Sequence, residues 1–161
     1  MTAYDSAPDT LEHISRVQHF MIDRAIANLE NRALNHDESK LLEPEKSAFD
    51  SLTDKLANTT YGSPEYRASL RAIKPALEHH YAANDHHPEH WPNGVKDMSL
   101  LSLLEMLCDW RAASERMKQR MDDPEKVKTF ASGMEHNKDR FDISDELYAI
   151  LMNTARELDM V

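Results

Sequence analysis

The run Asn35-His36-Asp37-Glu38-Ser39-Lys40 places an imidazole directly beside a carboxylate. A borderline nitrogen and a hard oxygen offered together suit one divalent ion of the Zn, Mn, Fe, Co or Ni kind. An adjacent His-Asp pair recurs by chance, so its weight comes from what accompanies it. His13 lies upstream in a strongly helical segment. His79, His80, His86, His87 and His90 crowd into twelve positions, out of nine histidines in 161 residues. Asp109 follows in a second apolar segment. These residue types are the neutral imidazoles and carboxylates that hold a hydrolytic or redox metal.

The elements that must position them read as helices throughout. Only 3 Gly occur, strand-like alternation is absent, and Ala, Leu, Glu, Arg and Met dominate long stretches. Asp9 or Thr10 is expected to cap a first helix running to about Ala33 or Leu34. A second starts near Pro44 and ends before Asn58. Ser63-Pro64 opens a third that runs to about Ala83, with Pro75 expected to kink or split it. Residues 84–98, with Pro88, Pro92 and Gly94, read as a loop anchored by Trp91 and Pro92. Ser99 caps a helix to about Met121, Asp123-Pro124 starts one ending near His136, and Ser144 caps the last, over 145–158. The expectation is an all-α single domain spanning 1–161, with a core at about 11–157 and six or seven helices.

Helical geometry sorts the candidates. Successive residues turn about 100° around the axis, so Ile14, Val17, Met21 and Ala25 share one side. His13 lies on the edge of that face and His19 opposite it. The plain alternative for His13 is a core-edge histidine bonded to a carbonyl. On the later helix Leu100, Leu103, Leu104, Met106, Leu107 and Trp110 form the apolar face. Asp109 borders it, with Glu105 and Arg116 on the polar side; its plain alternative is an ion pair with Arg116. Neighbouring His79 and His80 point about 100° apart, so one of them faces a site. A solvated loop is the alternative for the histidine cluster. Lys40 either meets a substrate phosphate or pairs with Glu38 or Glu43.

Composition limits the partners. Lys+Arg 19 against Asp+Glu 29 gives a net charge of −10, which argues against long nucleic acid, since that needs clustered cations. A small nucleotide stays open because a metal supplies local positive charge. No apolar run approaches the roughly 18 residues that span a bilayer, so no membrane is expected. Met1–Pro8 shows no basic-then-apolar pattern, so no signal peptide is expected. Cys108, the one cysteine, reads as a buried thiol in a reducing cytosol. A cytoplasmic location is expected, the host cytoplasm if the chain is phage-encoded, and a homo-oligomer is left open.

His13-x-x-x-Val17 followed by His36-Asp37-x-Ser39-Lys40 resembles the signature of the HD metal-dependent phosphohydrolase superfamily. The string Leu104-Glu-Met-Leu-Cys-Asp109 is similar to its late helix, whose aspartate closes the metal site. The strings His36-Asp-Glu-Ser-Lys40, Thr60-Tyr-Gly-Ser63, His79-His-Tyr81, His86-His-Pro-Glu-His-Trp91 and Glu105-Met-Leu-Cys-Asp-Trp110 also resemble a family of uncharacterised bacterial and phage proteins, over about residues 11–157. The superfamily resemblance implies an HD-like bundle in which His13, His36, Asp37 and Asp109 bind one divalent transition metal (Mn, Fe, Co, Ni or Zn). In two-metal members of that superfamily, extra histidines between the His-Asp pair and the last aspartate hold a second ion, for which His79, His80, His86 and His87 are the candidates here.

The activity implied is hydrolysis of a small phosphorylated metabolite, a nucleotide foremost, by metal-activated water, with Asp37, Lys40 and His80 as catalytic candidates. Two rivals stand beside it. One is a diiron oxygenase of the same fold type, which the histidine excess fits. The other is a non-catalytic module whose metal is structural. No Gly-rich phosphate loop or serine nucleophile elbow occurs.

Overall fold

The computed structural model describes residues 4–57, 59, 63–120 and 129–161. Among them the chain is all-α, with seven α-helices and no strand. No helix among the described residues is long and apolar enough to cross a membrane. The chain divides into two compact units, Met1–His36 and Asp37–Val161.

The first unit is one helical run: α1 (Ala7–Gln18), a π-helical stretch (His19–Ile26) and α2 (Ala27–Asn35). Every residue at the two junctions keeps right-handed helical dihedrals, so the run is unbroken. It begins two residues before the expected cap, with Pro8 in the first turn. No residue of the three segments is buried. The run stops where His36 turns extended, at φ −54 and ψ 125.

The second unit opens with Asp37 in the left-handed region, at φ 57 and ψ 18. A short polar side chain tolerates this conformation better than most. The turn it starts is a 3₁₀ segment, Glu38–Leu41, closed by Lys40 N–H donating to the Asp37 carbonyl at 2.9 Å. Then come α3 (Glu45–Ala57), α4 (Pro64–Ala83), α5 (Leu100–Arg120), α6 (Phe130–Arg140) and α7 (Asp145–Glu157). Pro75 lies inside α4 without splitting it: the lost N–H costs one bond, and the flanking turns keep the helix going. Asp123 and Pro124, expected to start a helix, lie outside the described residues. The helix that follows begins at Phe130, capped by Thr129, and runs to Arg140 rather than ending at His136.

Between α4 and α5 the expected loop contains two 3₁₀ turns, Pro88–His90 and Gly94–Asp97. The Trp91 Nε1–H donates to the Asp85 carbonyl at 2.8 Å, and His90 Nδ1 meets the Tyr81 carbonyl at 2.9 Å. Gly94 sits at φ +60 with open space where a Cβ would go, so its role is the dihedral alone. Ser99 caps α5, its Oγ accepting from Ser102 N–H at 3.0 Å.

The core lies on α5, α6 and α7. Leu103, Met106 and Leu107 of α5 pack with Phe130 and Met134 of α6, and with Leu151, Met152 and Ala155 of α7. Val95 and Met98 of the loop join them. Burying each such side chain contributes on the order of 1.5–3 kcal/mol. Two expectations fail at the margins of α5. Leu100 is 73% exposed, in the first turn before packing begins. Cys108 is exposed rather than buried, because it is rotated about 100° from fully buried Leu107.

Candidate metal centre

The second unit brings Asp37, His80, His86 and His87 together. One ligand atom from each lies within 4.8 Å of all the others. Asp37 comes from the left-handed turn, His80 from the last turns of α4, and His86 and His87 from the stiffened loop after it. His80 and His86 are almost wholly buried, at 1% and 2% exposure.

Three of the separations are close to those of donor atoms around one ion. His80 Nε2 lies 2.8 Å from His87 Nε2 and 3.3 Å from Asp37 Oδ1, and His86 Nε2 lies 3.6 Å from Asp37 Oδ1. With metal–ligand bonds of about 2.1 Å, neighbouring donors stand about 3.0 Å apart in an octahedron and about 3.4 Å in a tetrahedron. Three imidazole nitrogens and a carboxylate oxygen suit the borderline divalent ions.

The far sides of the rings are held by carboxylates. His80 Nδ1 meets Glu45 Oε2 at 2.9 Å, and His86 Nδ1 meets Glu105 Oε1 at 3.1 Å. A carboxylate accepts hydrogen bonds, so each Nδ1 is placed to donate outward and each Nε2 faces the cluster. At His80 the Asn84 Nδ2 donor also stands 3.0 Å from Nδ1 and competes for it. Burial, and then the Lys40 charge, lower the His80 pKa against the pull of Asp37 and Glu45. His87 is pushed down to about 3, by burial first and then by its neighbours His86 and His80. Both effects keep the rings neutral, the form that binds metal.

The remaining expected residues fall as follows. Asp109 of α5 is half-buried, its carboxylate reaches within 4.8 Å of that of Asp37, and its charge acts on His87. Lys40 pairs with neither Glu38 nor Glu43: its Nζ meets Asp37 Oδ2 at 2.5 Å, because one 3₁₀ turn brings residues three apart onto the same side. His79 is turned away from the cluster, its ring 48% exposed and its Nδ1 2.8 Å from Glu45 Oε1. His13 and His36 do not come together. They sit near opposite ends of the unbroken helical run, about 35 Å apart at ~1.5 Å per residue, so they cannot share an ion. His13 is exposed on α1, and His36 is half-buried at the end of α2.

Glu45 and Glu105 are the site residues that sequence reasoning missed. Glu105 stands four positions before Asp109, so the two share a helix face, and that spacing is a usable signal. Glu45 gives none, since its histidine partners are 34 and 35 residues away.

No curated protein matches the chain, and no solved structure matches it. Residues 2–157 match DUF5662, described as a family of unknown function, and the chain belongs to that family.

Proposed function

We propose that Asp37, His80, His86 and His87, with Asp109 beside them, form a divalent metal centre that hydrolyses a phosphate ester or anhydride on a small, nucleotide-like metabolite. The observation that carries the metal is the convergence of imidazole nitrogens and the Asp37 oxygen at 2.8–3.6 Å, with two of the rings held from behind by buried or half-buried carboxylates. His87 Nε2–H can donate to His80 Nε2 at 2.8 Å, and a divalent ion would take the place of that proton.

A bound dication supplies acidified water and polarises a phosphoryl oxygen. The chain's own residues supply the rest. Lys40, 39% exposed with its Nζ on Asp37, offers a partly exposed positive charge to a phosphate and steadies the Asp37 carboxylate. His80, placed by the sequence among catalytic residues, acts here as a ligand, because its second nitrogen is committed to Glu45. The hydrolytic part of the reading rests on the HD-type strings around His36-Asp37 and Asp109, and a cytoplasmic setting goes with it.

The three histidines favour one rival, a diiron oxygenase. Protein purified without chelator, analysed for metal and then assayed for phosphate release from a panel of nucleotides and phosphorylated metabolites, decides between them. Release that depends on Mn, Fe, Co, Ni or Zn is the expected result. A coloured, iron-rich protein that releases nothing but consumes oxygen with an organic substrate would replace hydrolysis with oxygenation. A protein that binds no divalent ion would end both.

A further inference from the structure

We infer that Glu45 is a positioning residue that decides which of two consecutive histidines, His79 or His80, becomes a metal ligand. The inference rests on the metal centre proposed above, but not on the reaction assigned to it.

Glu45 is the first residue of α3 and is fully buried, at 0% exposure. A buried carboxylate is costly unless it is well supplied with donors. Here it has three. His79 Nδ1 stands 2.8 Å from Oε1, His80 Nδ1 stands 2.9 Å from Oε2, and Ser39 Oγ donates to Oε2 at 3.1 Å. Adjacent residues on α4 diverge by about 100°, so one carboxylate between the two rings holds them in different directions. The His80 ring is sent inward, with Nε2 toward Asp37 Oδ1 and His87 Nε2. The His79 ring is kept half in solvent.

The same oxygen that holds His80 also holds Ser39, two residues after Asp37 on the 3₁₀ turn. Asn84 closes the arrangement, donating to Ser39 Oγ and to the His80 carbonyl, both at 2.8 Å. Glu45 thus favours the Nδ1–H tautomer of His80, against the Asn84 Nδ2 donor 3.0 Å from the same nitrogen, and ties the α4 ligand to the turn that presents Asp37. Outer partners of this kind carry about 10- to 100-fold in metal affinity.

The test uses the full chain with Zn²⁺ as probe, in competition with a chromophoric chelator, and imidazole ¹⁵N NMR of the metal-free protein. In the wild type, His79 and His80 should both carry the proton on Nδ1. Glu45→Met, similar in length but unable to accept strongly, should bind Zn²⁺ about 10- to 100-fold more weakly. Glu45→Gln should recover most of that loss, because its one amide oxygen can still serve His80 and Ser39 while exposed His79 changes tautomer. His79→Ala should stay within about threefold of wild type, well inside the second-shell range. Wild-type affinity in Glu45→Met, or a loss in His79→Ala equal to that of His80→Ala, would overturn the assignment. So would a wild-type His80 protonated on Nε2. If Glu45→Met fails to fold, the wild-type tautomers decide. If the wild type binds no Zn²⁺ while His80 is Nδ1-protonated, the metal centre fails and the hydrogen-bonding role of Glu45 stands.

Discussion

Residues 7–36 and residues 79–109 both carry histidines among apolar residues, and the two regions do opposite things with them. The first is a single helical run, where spacing in sequence becomes distance: His13, His19 and His36 are strung along one axis at ~1.5 Å per residue. The second breaks its chain between α4 and α5, and the break folds His80, His86 and His87 back onto one point. A helix can place two ligands together only at spacings of about three or four residues. Wider sets need a turn between them. The difference also appears in burial, with no buried residue in α1, the π stretch or α2, against a core built on α5, α6 and α7.

The largest expected contrast is in stability. Leu107→Ala removes a side chain with 0% exposure and should cost about 2–5 kcal/mol by chemical denaturation. Ile14→Ala on α1, at 44% exposure, should cost less than about 1 kcal/mol, as an incompletely buried side chain does. Equal losses would show that the first region carries as much of the core as the second.

The next contrast is in metal affinity. His86→Ala removes an inward nitrogen that is 2% exposed and held by Glu105. It should weaken Zn²⁺ binding by more than the roughly 10- to 100-fold typical of outer-shell changes. His13→Ala should leave binding within about twofold, since no ligand lost should mean less than an outer-shell effect. A large loss from His13→Ala, measured by the same chelator competition, would break the comparison and restore His13 to the ligand set.

These contrasts also mark what the sequence made legible. Helix content, the Ser99 and Ser144 caps and the apolar face of α5 follow from local rules that act over three or four residues, so a sequence exposes them. The crowding of His79, His80, His86 and His87 likewise pointed at the segment whose His80, His86 and His87 come together with Asp37, with Pro88 and Trp91 signalling a held loop. The pairing of His13 with His36 fails because periodicity reports which side of a helix a residue takes, not whether the helix turns back. Local spacing cannot show that Glu45, in a different helix, chooses between His79 and His80. Nor could the Glu38 and Glu43 alternatives for Lys40 anticipate Asp37, whose left-handed φ sets the turn that brings the two together.

The smallest expected contrast concerns how each region starts its helices. Ser144 precedes α7 in an extended conformation, at φ −63 and ψ 157, and its Oγ accepts the Leu147 N–H at 3.2 Å. Ser6 precedes α1 at φ −83 and ψ −4, already helical, and its side chain caps nothing. The same residue type at the same nominal position should therefore carry different weight. Ser144→Ala leaves a first-turn N–H without its acceptor and should cost about 1 kcal/mol. The loss should register fully in global unfolding, because α7 contributes buried Leu151, Met152 and Ala155 to the core. Ser6→Ala removes no bond and should change stability by less than about 0.5 kcal/mol, the usual range for a surface change. Thermal unfolding of the two variants side by side checks this. An equal loss from Ser6→Ala would mean that the start of α1 is held by its serine after all, and that the two regions differ in burial but not in how their helices are anchored.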